Sequence, residues 1–98
     1  MKPLRVDSAA RAELLQEAKY LEQARPGYGK KFVAEIKSIF AQIKRNPDAG
    51  KPDDENCRRL RVAGFSSSVV FREEQTEIVV YVIRADKREP GYWRSRVR

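Results

Sequence analysis

The chain has 98 residues, of which 41% are hydrophobic and 36% charged, a balance that predicts one small globular domain over residues 1–98 with a densely charged surface. Lys and Arg number 21 against 14 Asp and Glu, and the resulting charge of +7 favours a polyanion or an acidic protein as partner. Histidine is absent and Cys57 is the single cysteine, which excludes a histidine general base, a histidine-ligated metal and an internal disulfide.

The N-terminal part is predicted to hold a short edge strand and a helix. Pro3–Val6 fits an edge strand, since a proline at its start removes no ladder hydrogen bond, and Asp7 or Ser8 can cap the helix that follows. Apolar residues at steps of four and three give this helix one buried face: Ala10, Leu14, Ala18 and Leu21. We expect the helix to end near Ala24, because Arg25-Pro26-Gly27 breaks helical geometry.

A second helix is predicted from about Gly29 to the stop signal Asn46-Pro47-Asp48. Its apolar stripe consists of Phe32, Ile36, Ile39, Phe40 and Ile43. The short Pro-Gly connection between the two helices predicts an antiparallel helical hairpin. The polar segment 48–56, which follows the second helix, is predicted to be a surface loop.

Three strands are predicted after this loop. Arg58–Val62 alternates charged and apolar residues, Ser67–Arg72 forms the next strand, and Glu77–Ala85 holds an apolar run typical of a central strand covered on both faces. The simplest α+β arrangement packs the helical hairpin on one face of a four-stranded sheet. The other face then lacks a cover, so we expect an apolar groove that receives a helix of a small acidic partner protein.

Four segments carry a family resemblance: Arg59–Phe65, Val69–Arg72, Ile78–Ile83 and Lys87–Trp93. Together with the order of helices and strands, they resemble the RelE/ParE superfamily of toxins from bacterial type II toxin–antitoxin modules, over nearly the full chain. The resemblance implies an α+β fold in which an N-terminal strand and a helical hairpin pack on one face of a small antiparallel sheet. It also implies that a cognate antitoxin protein neutralises the chain.

The superfamily has two activities, and the resemblance leaves both open. RelE-like members cut mRNA in the ribosomal A site without a metal, whereas ParE-like members poison DNA gyrase and are not nucleases. If the chain is an enzyme of the RelE-like kind, the resemblance makes Arg59, Arg61, Arg88 and Tyr92 the catalytic candidates. The candidates for contact with nucleic acid or with the target are Arg58, Arg84, Lys87, Trp93 and Arg94.

Two departures weigh against RNA cleavage. Ser66 stands where an arginine usually follows the Gly-aromatic step, and Asp86 stands near the position where many relatives have a histidine. Without histidine, Tyr92 is one of the few candidate bases, and a phenol of pKa ~10 is a poor base unless nearby arginines stabilise its anion. The motif Pro90-Gly91-Tyr92-Trp93 is also closer to ParE-like sequences.

We therefore expect ParE-like inhibition of DNA gyrase, with a ribosome-dependent mRNA endoribonuclease as the alternative. A second alternative is an inactive relative that acts only as a basic antitoxin- or RNA-binding domain. A plainer interpretation of the same residues is that Arg59 and Arg61 form a solvated strand face and that Trp93 fills a gap beside the helices. No metal or other cofactor is expected. A cytoplasmic location without a membrane partner is expected, since Cys57 is alone and no apolar run approaches ~18–20 residues.

Overall fold

The computed structural model describes residues 1–97, which form two helices and five strands. The helices are α1 (Ser8–Ala24) and α2 (Tyr28–Arg45). The strands are β1 (Leu4–Val6), β2 (Lys51–Pro52), β3 (Arg58–Arg61), β4 (Ser67–Glu73) and β5 (Ile78–Ala85). Single turns of 3-10 helix lie at Asp54–Asn56 and Arg94–Arg96. The elements follow the predicted order, and the short β2 falls in the segment predicted to be a loop.

The helical hairpin forms through local caps. Asp7 accepts a hydrogen bond of 3.2 Å from the Ala9 N–H at the start of α1, as an N-cap residue does. The turn into α2 passes through Gly27, whose φ of 87° favours glycine. Glu22 of α1 accepts hydrogen bonds from the N–H groups of Gly27 and Gly29, at 2.8 and 3.0 Å. These bonds, chiefly the one from Gly27, lower the pKa of Glu22 and hold the start of α2 against α1.

The sheet has the strand order β1-β5-β4-β3-β2. Strands β3, β4 and β5 are antiparallel neighbours, and β2 is antiparallel to β3, whereas β1 runs parallel to β5. The α+β class is confirmed, but the sheet has five strands and one parallel pair instead of four antiparallel strands. A tight turn would force β1 to run antiparallel to its neighbour. Because the whole helical hairpin follows β1 instead, β1 can pair parallel to β5.

The helices bury the first face of the sheet. Large side chains of α2 form one half of this core: Phe32, Ile36, Ile39 and Ile43. The strands and the residue that follows β3 supply the other half: Val62, Val69, Phe71, Ile78, Val80 and Ile83. Burial of each such side chain contributes about 1.5–3 kcal/mol before the entropy of folding is counted. The predicted apolar stripe of α2 is therefore confirmed as core, with Phe40 at its edge.

A β-bulge interrupts the alternation of side chains along β5. Val70 pairs with Val82, but the next residue of β4, Phe71, pairs with Val80, so that Tyr81 is the extra residue on β5. Tyr81 and Val82 therefore both face away from the helices, in a second cluster. The continuous apolar run of β5 is buried on both faces, as predicted for a central strand.

The C-terminal segment covers the second face of the sheet. Trp93 and Val97 pack there with Val70, Val79 and Val82, and Trp93 is completely buried. The prediction of an uncovered second face that offers a groove to a partner helix was therefore wrong, as was the placement of Trp93 beside the helices. The physical reason is the turn after β5, which leads the chain back across the sheet.

Candidate functional site

Alternation along the strands brings three of the candidate arginines onto the second face. Leu60 packs into the core under the helices, so its neighbours Arg59 and Arg61 lie on the opposite side of β3. In the sheet register, Ser68 of β4 lies between Arg61 of β3 and Arg84 of β5. Arg59, Arg61 and Arg84 thus share one surface.

Each of these three arginines is paired with an aspartate. Oδ2 of Asp53 lies 3.4 Å from Nη2 of Arg84 and 3.7 Å from Nη1 of Arg59. Oδ2 of Asp86 lies 3.0 Å from Nη1 of Arg61. The second face therefore holds compensated charge in this conformation.

Three of the predicted contact residues have structural roles. Arg58 donates hydrogen bonds of 3.1 and 2.9 Å to two carbonyl oxygens of the loop before β2. Arg94, which is 57% exposed, forms an ion pair of 2.8 Å with Asp54. Trp93 has no exposed surface, so its role in this conformation is to pack the second face.

Tyr92 is tied to helix α1. Its hydroxyl donates a short hydrogen bond to Oε2 of Glu13. Burial first, and then the bond to this carboxylate, raise the pKa of Tyr92 to about 12, although Arg88 and Arg96 act in the opposite direction. The Arg88 guanidinium stacks over the Tyr92 ring, with Cζ 4.1 Å from the ring centroid. The arginines around Tyr92 therefore do not generate a phenolate at neutral pH.

Two residues that no sequence pattern singled out organise this corner of the molecule, Glu13 and Arg96. Arg96 binds both carboxylate oxygens of Glu13, at 2.8 and 3.2 Å, and also donates to the carbonyl oxygen of Tyr81 at 3.0 Å. Glu13 also accepts a hydrogen bond from the N–H of Ile83. This part of β5 lies beyond the residues that pair with β1. One signal was available, because Glu13 lies three residues after Ala10 on the buried side of α1, where a carboxylate needs a partner.

A cleft of about 590 Å³ lies between α1 and the end of β5. Its walls include the apolar and aromatic residues Tyr20, Leu21, Tyr28, Phe65 and Ile83. Lys87 and Arg88 line the same cleft and are exposed. Two glutamates also line it, Glu17 and Glu13, and the carboxylate of Glu13 is bound by Arg96. Tyr20 is 64% exposed, as is Leu15 on the same helix. An apolar wall with a basic edge suits a protein segment that combines apolar and acidic side chains.

The candidate catalytic residues lie apart in two groups in this conformation, and Tyr92 carries its proton at neutral pH. A general base needs a pKa near the working pH and a place within hydrogen-bond reach of its substrate, but Tyr92 stays protonated. Burial raises the pKa of the Cys57 thiol to about 11, which leaves it a poor nucleophile. Within residues 1–97, no hydrogen bond or ion pair joins Tyr92 or Arg88 to Arg59 or Arg61.

Among residues 1–97, no three His, Cys, Asp or Glu side chains are placed so that they could hold a metal ion. None of the helices in this range is long and apolar enough to cross a membrane.

The helical hairpin packs on one face of a small sheet, the arrangement that the resemblance to the RelE/ParE superfamily implies. A solved structure entitled "Chromosomal ParDE TA system from P. aeruginosa" has a similar fold, with a TM-score of 0.68 and 23% sequence identity over 87% of this chain and 96% of that one. A family model described as "ParE toxin of type II toxin-antitoxin system, parDE" matches residues 4–92. No curated protein sequence matches the chain significantly.

The chain belongs to the ParE toxin family, since the family model spans most of its length. The predicted resemblance is thereby confirmed. The chain is the toxin component of a type II toxin–antitoxin module, and a cognate antitoxin is its partner.

Proposed function

We propose that this toxin acts by binding DNA gyrase and that it does not cleave mRNA. The observation that carries the proposal is the hydrogen bond from Tyr92 to Glu13. Cleavage by attack of a ribose 2′-hydroxyl requires a group that accepts its proton, and a phenol bonded to a carboxylate is itself a donor. An inhibitor that acts by binding requires a complementary surface only. Membership of the ParE toxin family supports the same choice.

The surface proposed for gyrase is the turn after β5, with Lys87 and Arg88. Both side chains are exposed, and neither forms an ion pair with a carboxylate of residues 1–97. A partner that binds them therefore breaks no ion pair within residues 1–97. The stacking of Arg88 on Tyr92 limits the motion of its guanidinium and so lowers the entropy cost of binding.

The direct test is a supercoiling assay with purified gyrase and plasmid DNA. The wild-type chain should inhibit supercoiling, and Arg88→Ala should raise the concentration needed by about tenfold, the effect of losing one contact worth about 1.4 kcal/mol. Lys44→Ala is the matched control, because it removes the same charge from an exposed position of α2. It should leave inhibition unchanged.

Primer extension on mRNA in a programmed ribosome tests the alternative activity with the same preparations. Codon-positioned cuts without inhibition of gyrase would overturn the proposal. Inhibition of gyrase that Arg88→Ala leaves intact would move the contact surface elsewhere while keeping the target.

For the antitoxin, we propose that an acidic segment with apolar anchors occupies the cleft beside α1. The cleft offers the exposed ring of Tyr20, and Lys87 and Arg88 provide its positive edge. The net charge of +7 favours an acidic partner. Because the second face is already covered by Trp93, this cleft replaces the groove expected from the sequence.

Titration with the small acidic protein encoded beside the toxin gene tests this assignment. Tyr20→Ala should weaken the complex by about tenfold or more, since tyrosines are frequent anchors of binding energy. Lys44→Ala again serves as the control. An affinity that is equal for Tyr20→Ala and wild type would exclude the cleft as the antitoxin site.

A further inference from the structure

One carboxylate oxygen on the second face is shared by two arginines. Oδ2 of Asp53 lies within 3.4 Å of Arg84 and 3.7 Å of Arg59, which come from strands on either side of β4. The following residue, Asp54, pairs with Arg94 at 2.8 Å. We propose that this surface is a binding site for the phosphates of a nucleic-acid backbone and that Asp53 and Asp54 occupy it in place of the ligand.

The arginines of this site can bind either a carboxylate or a phosphate. A guanidinium presents a fork of N–H donors that matches carboxylate and phosphate oxygens alike. Arg59, Arg84 and Arg94 come from three different segments of the chain and meet over the residues 53–56, here called the acidic turn. A single oxygen held between two guanidinium groups is a geometry that a bridging phosphate oxygen can also adopt.

The acidic turn is held in an unfavourable backbone conformation. Glu55 and Asn56 both have a φ of 58°, and they are the two non-glycine residues with positive φ among residues 1–97. Such residues cost free energy and persist where surrounding contacts fix them. Arg72 also fixes the turn, by a hydrogen bond of 3.1 Å to the carbonyl oxygen of Glu55. The ion pairs of Asp53 and Asp54 with the arginines of the second face are among the contacts that hold this segment.

The presence of Asp53 and Asp54 strongly lowers the positive charge of the second face. Four arginines of the second face hold the carboxylates of Asp53, Asp54 and Asp86: Arg59, Arg61, Arg84 and Arg94. Four positive charges thus face three negative ones, which leaves one net positive charge. Displacement of Asp53 and Asp54 leaves three, and the affinity for a polyanion rises with that number.

This inference rests on the proposed function in one respect, because a toxin that acts on gyrase meets DNA there. The phosphate chemistry itself is common to DNA and RNA. Binding is therefore measured without gyrase, by fluorescence anisotropy of a labelled 20-base-pair DNA duplex and of a labelled single-stranded RNA. Nucleic-acid binding by the arginines of the second face is then measured independently of whether the toxin inhibits gyrase.

The decisive variant is Asp53→Asn/Asp54→Asn in the full chain. It should bind the duplex at least tenfold more tightly than wild type. The slope of log K against log salt concentration should steepen by about two, since each neutralised phosphate contributes about 0.9 to it. The control Glu17→Gln/Glu35→Gln removes the same two charges from the helical layer, and its affinity should rise by less than twofold.

The addition of Arg59→Ala/Arg84→Ala to the aspartate variant should cancel the gain. Thermal melting reports whether each variant is folded, and the single variant Asp54→Asn, at an exposed pair, replaces the double variant if that one unfolds. No gain in affinity, or an equal gain in the helix-layer control, would overturn the proposal. A gain for RNA and none for DNA would keep the phosphate site but contradict DNA as its source.

Discussion

The hydroxyl of Tyr92 donates a hydrogen bond to the carboxylate of Glu13, which lies 79 residues earlier in the chain. The bond joins the C-terminal segment to helix α1, and Arg96 completes the junction by binding both oxygens of the same carboxylate. The phenol that the resemblance made a candidate base is therefore engaged as a donor. The same junction fixes the segment that covers the second face.

The ionisation of Tyr92 should report this bond. The pKa of Tyr92 is about 12 in the folded chain against an ordinary value of 10. Because the pKa is raised, the contribution of the protonated Tyr92 to the free energy of unfolding is fully present below about pH 10. It is lost as the pH rises through about 12. The phenolate absorbance at 295 nm, titrated in wild type and in Tyr92→Phe, should differ by a transition near pH 12. A difference near pH 10 would contradict the bond.

Glu13→Gln should destabilise the fold, because it leaves Arg96 partly buried without its carboxylate. The two side chains are 12% and 20% exposed, and removal of one partner from a buried pair costs about 3–5 kcal/mol. Urea unfolding provides the measurement. Glu17→Gln, one turn later on the same helix, is the control and should change the unfolding free energy by less than about 0.5 kcal/mol. Equal effects of the two changes would mean that the junction contributes nothing.

Deletion of residues 93–98 should damage the fold itself, so it is unsuitable as a test of target binding. Trp93 is completely buried on the second face, and loss of a buried Trp side chain costs about 3–5 kcal/mol. Circular dichroism melting of Trp93→Ala should show a large decrease in Tm, whereas Ser95→Ala, at an exposed position next to it, should melt like wild type. Retention of the wild-type Tm by Trp93→Ala would contradict its role as a core residue.

The sequence predicted the helices and the main strands because their periodicity is local. The stripe of α2 and the apolar run of β5 both lie where the spacing placed them. The parallel pairing of β1 and the bulge at Tyr81 depend on contacts between distant segments, which spacing does not record. The cover of the second face was missed for a related reason, since the C-terminal residues 93–97 have too few apolar positions for a periodic pattern.

The candidate site was predictable in its cations but not in their partners. Alternation along β3 correctly placed Arg59 and Arg61 on one side of the sheet. It gave no indication that Asp53 pairs with Arg59 or Asp86 with Arg61, because an ion pair between distant residues leaves no trace in local spacing. For Tyr92 the missing element was again a distant acid, Glu13, which decides its protonation state.

The measurement that tests the central claim most directly is inhibition of purified gyrase by Tyr92→Phe, at protein concentrations matched to wild type and with folding checked by thermal melting. The phenylalanine ring keeps the packing and the stacking surface for Arg88 but removes the hydroxyl. If the toxin acts by binding, the variant should inhibit supercoiling within about threefold of wild type. If the hydroxyl instead transfers a proton in RNA cleavage, mRNA cutting in programmed ribosomes should fall on the order of 10²-fold or more in the variant. Such a loss, together with mRNA cuts by the wild type in programmed ribosomes and no effect on gyrase, would contradict the account.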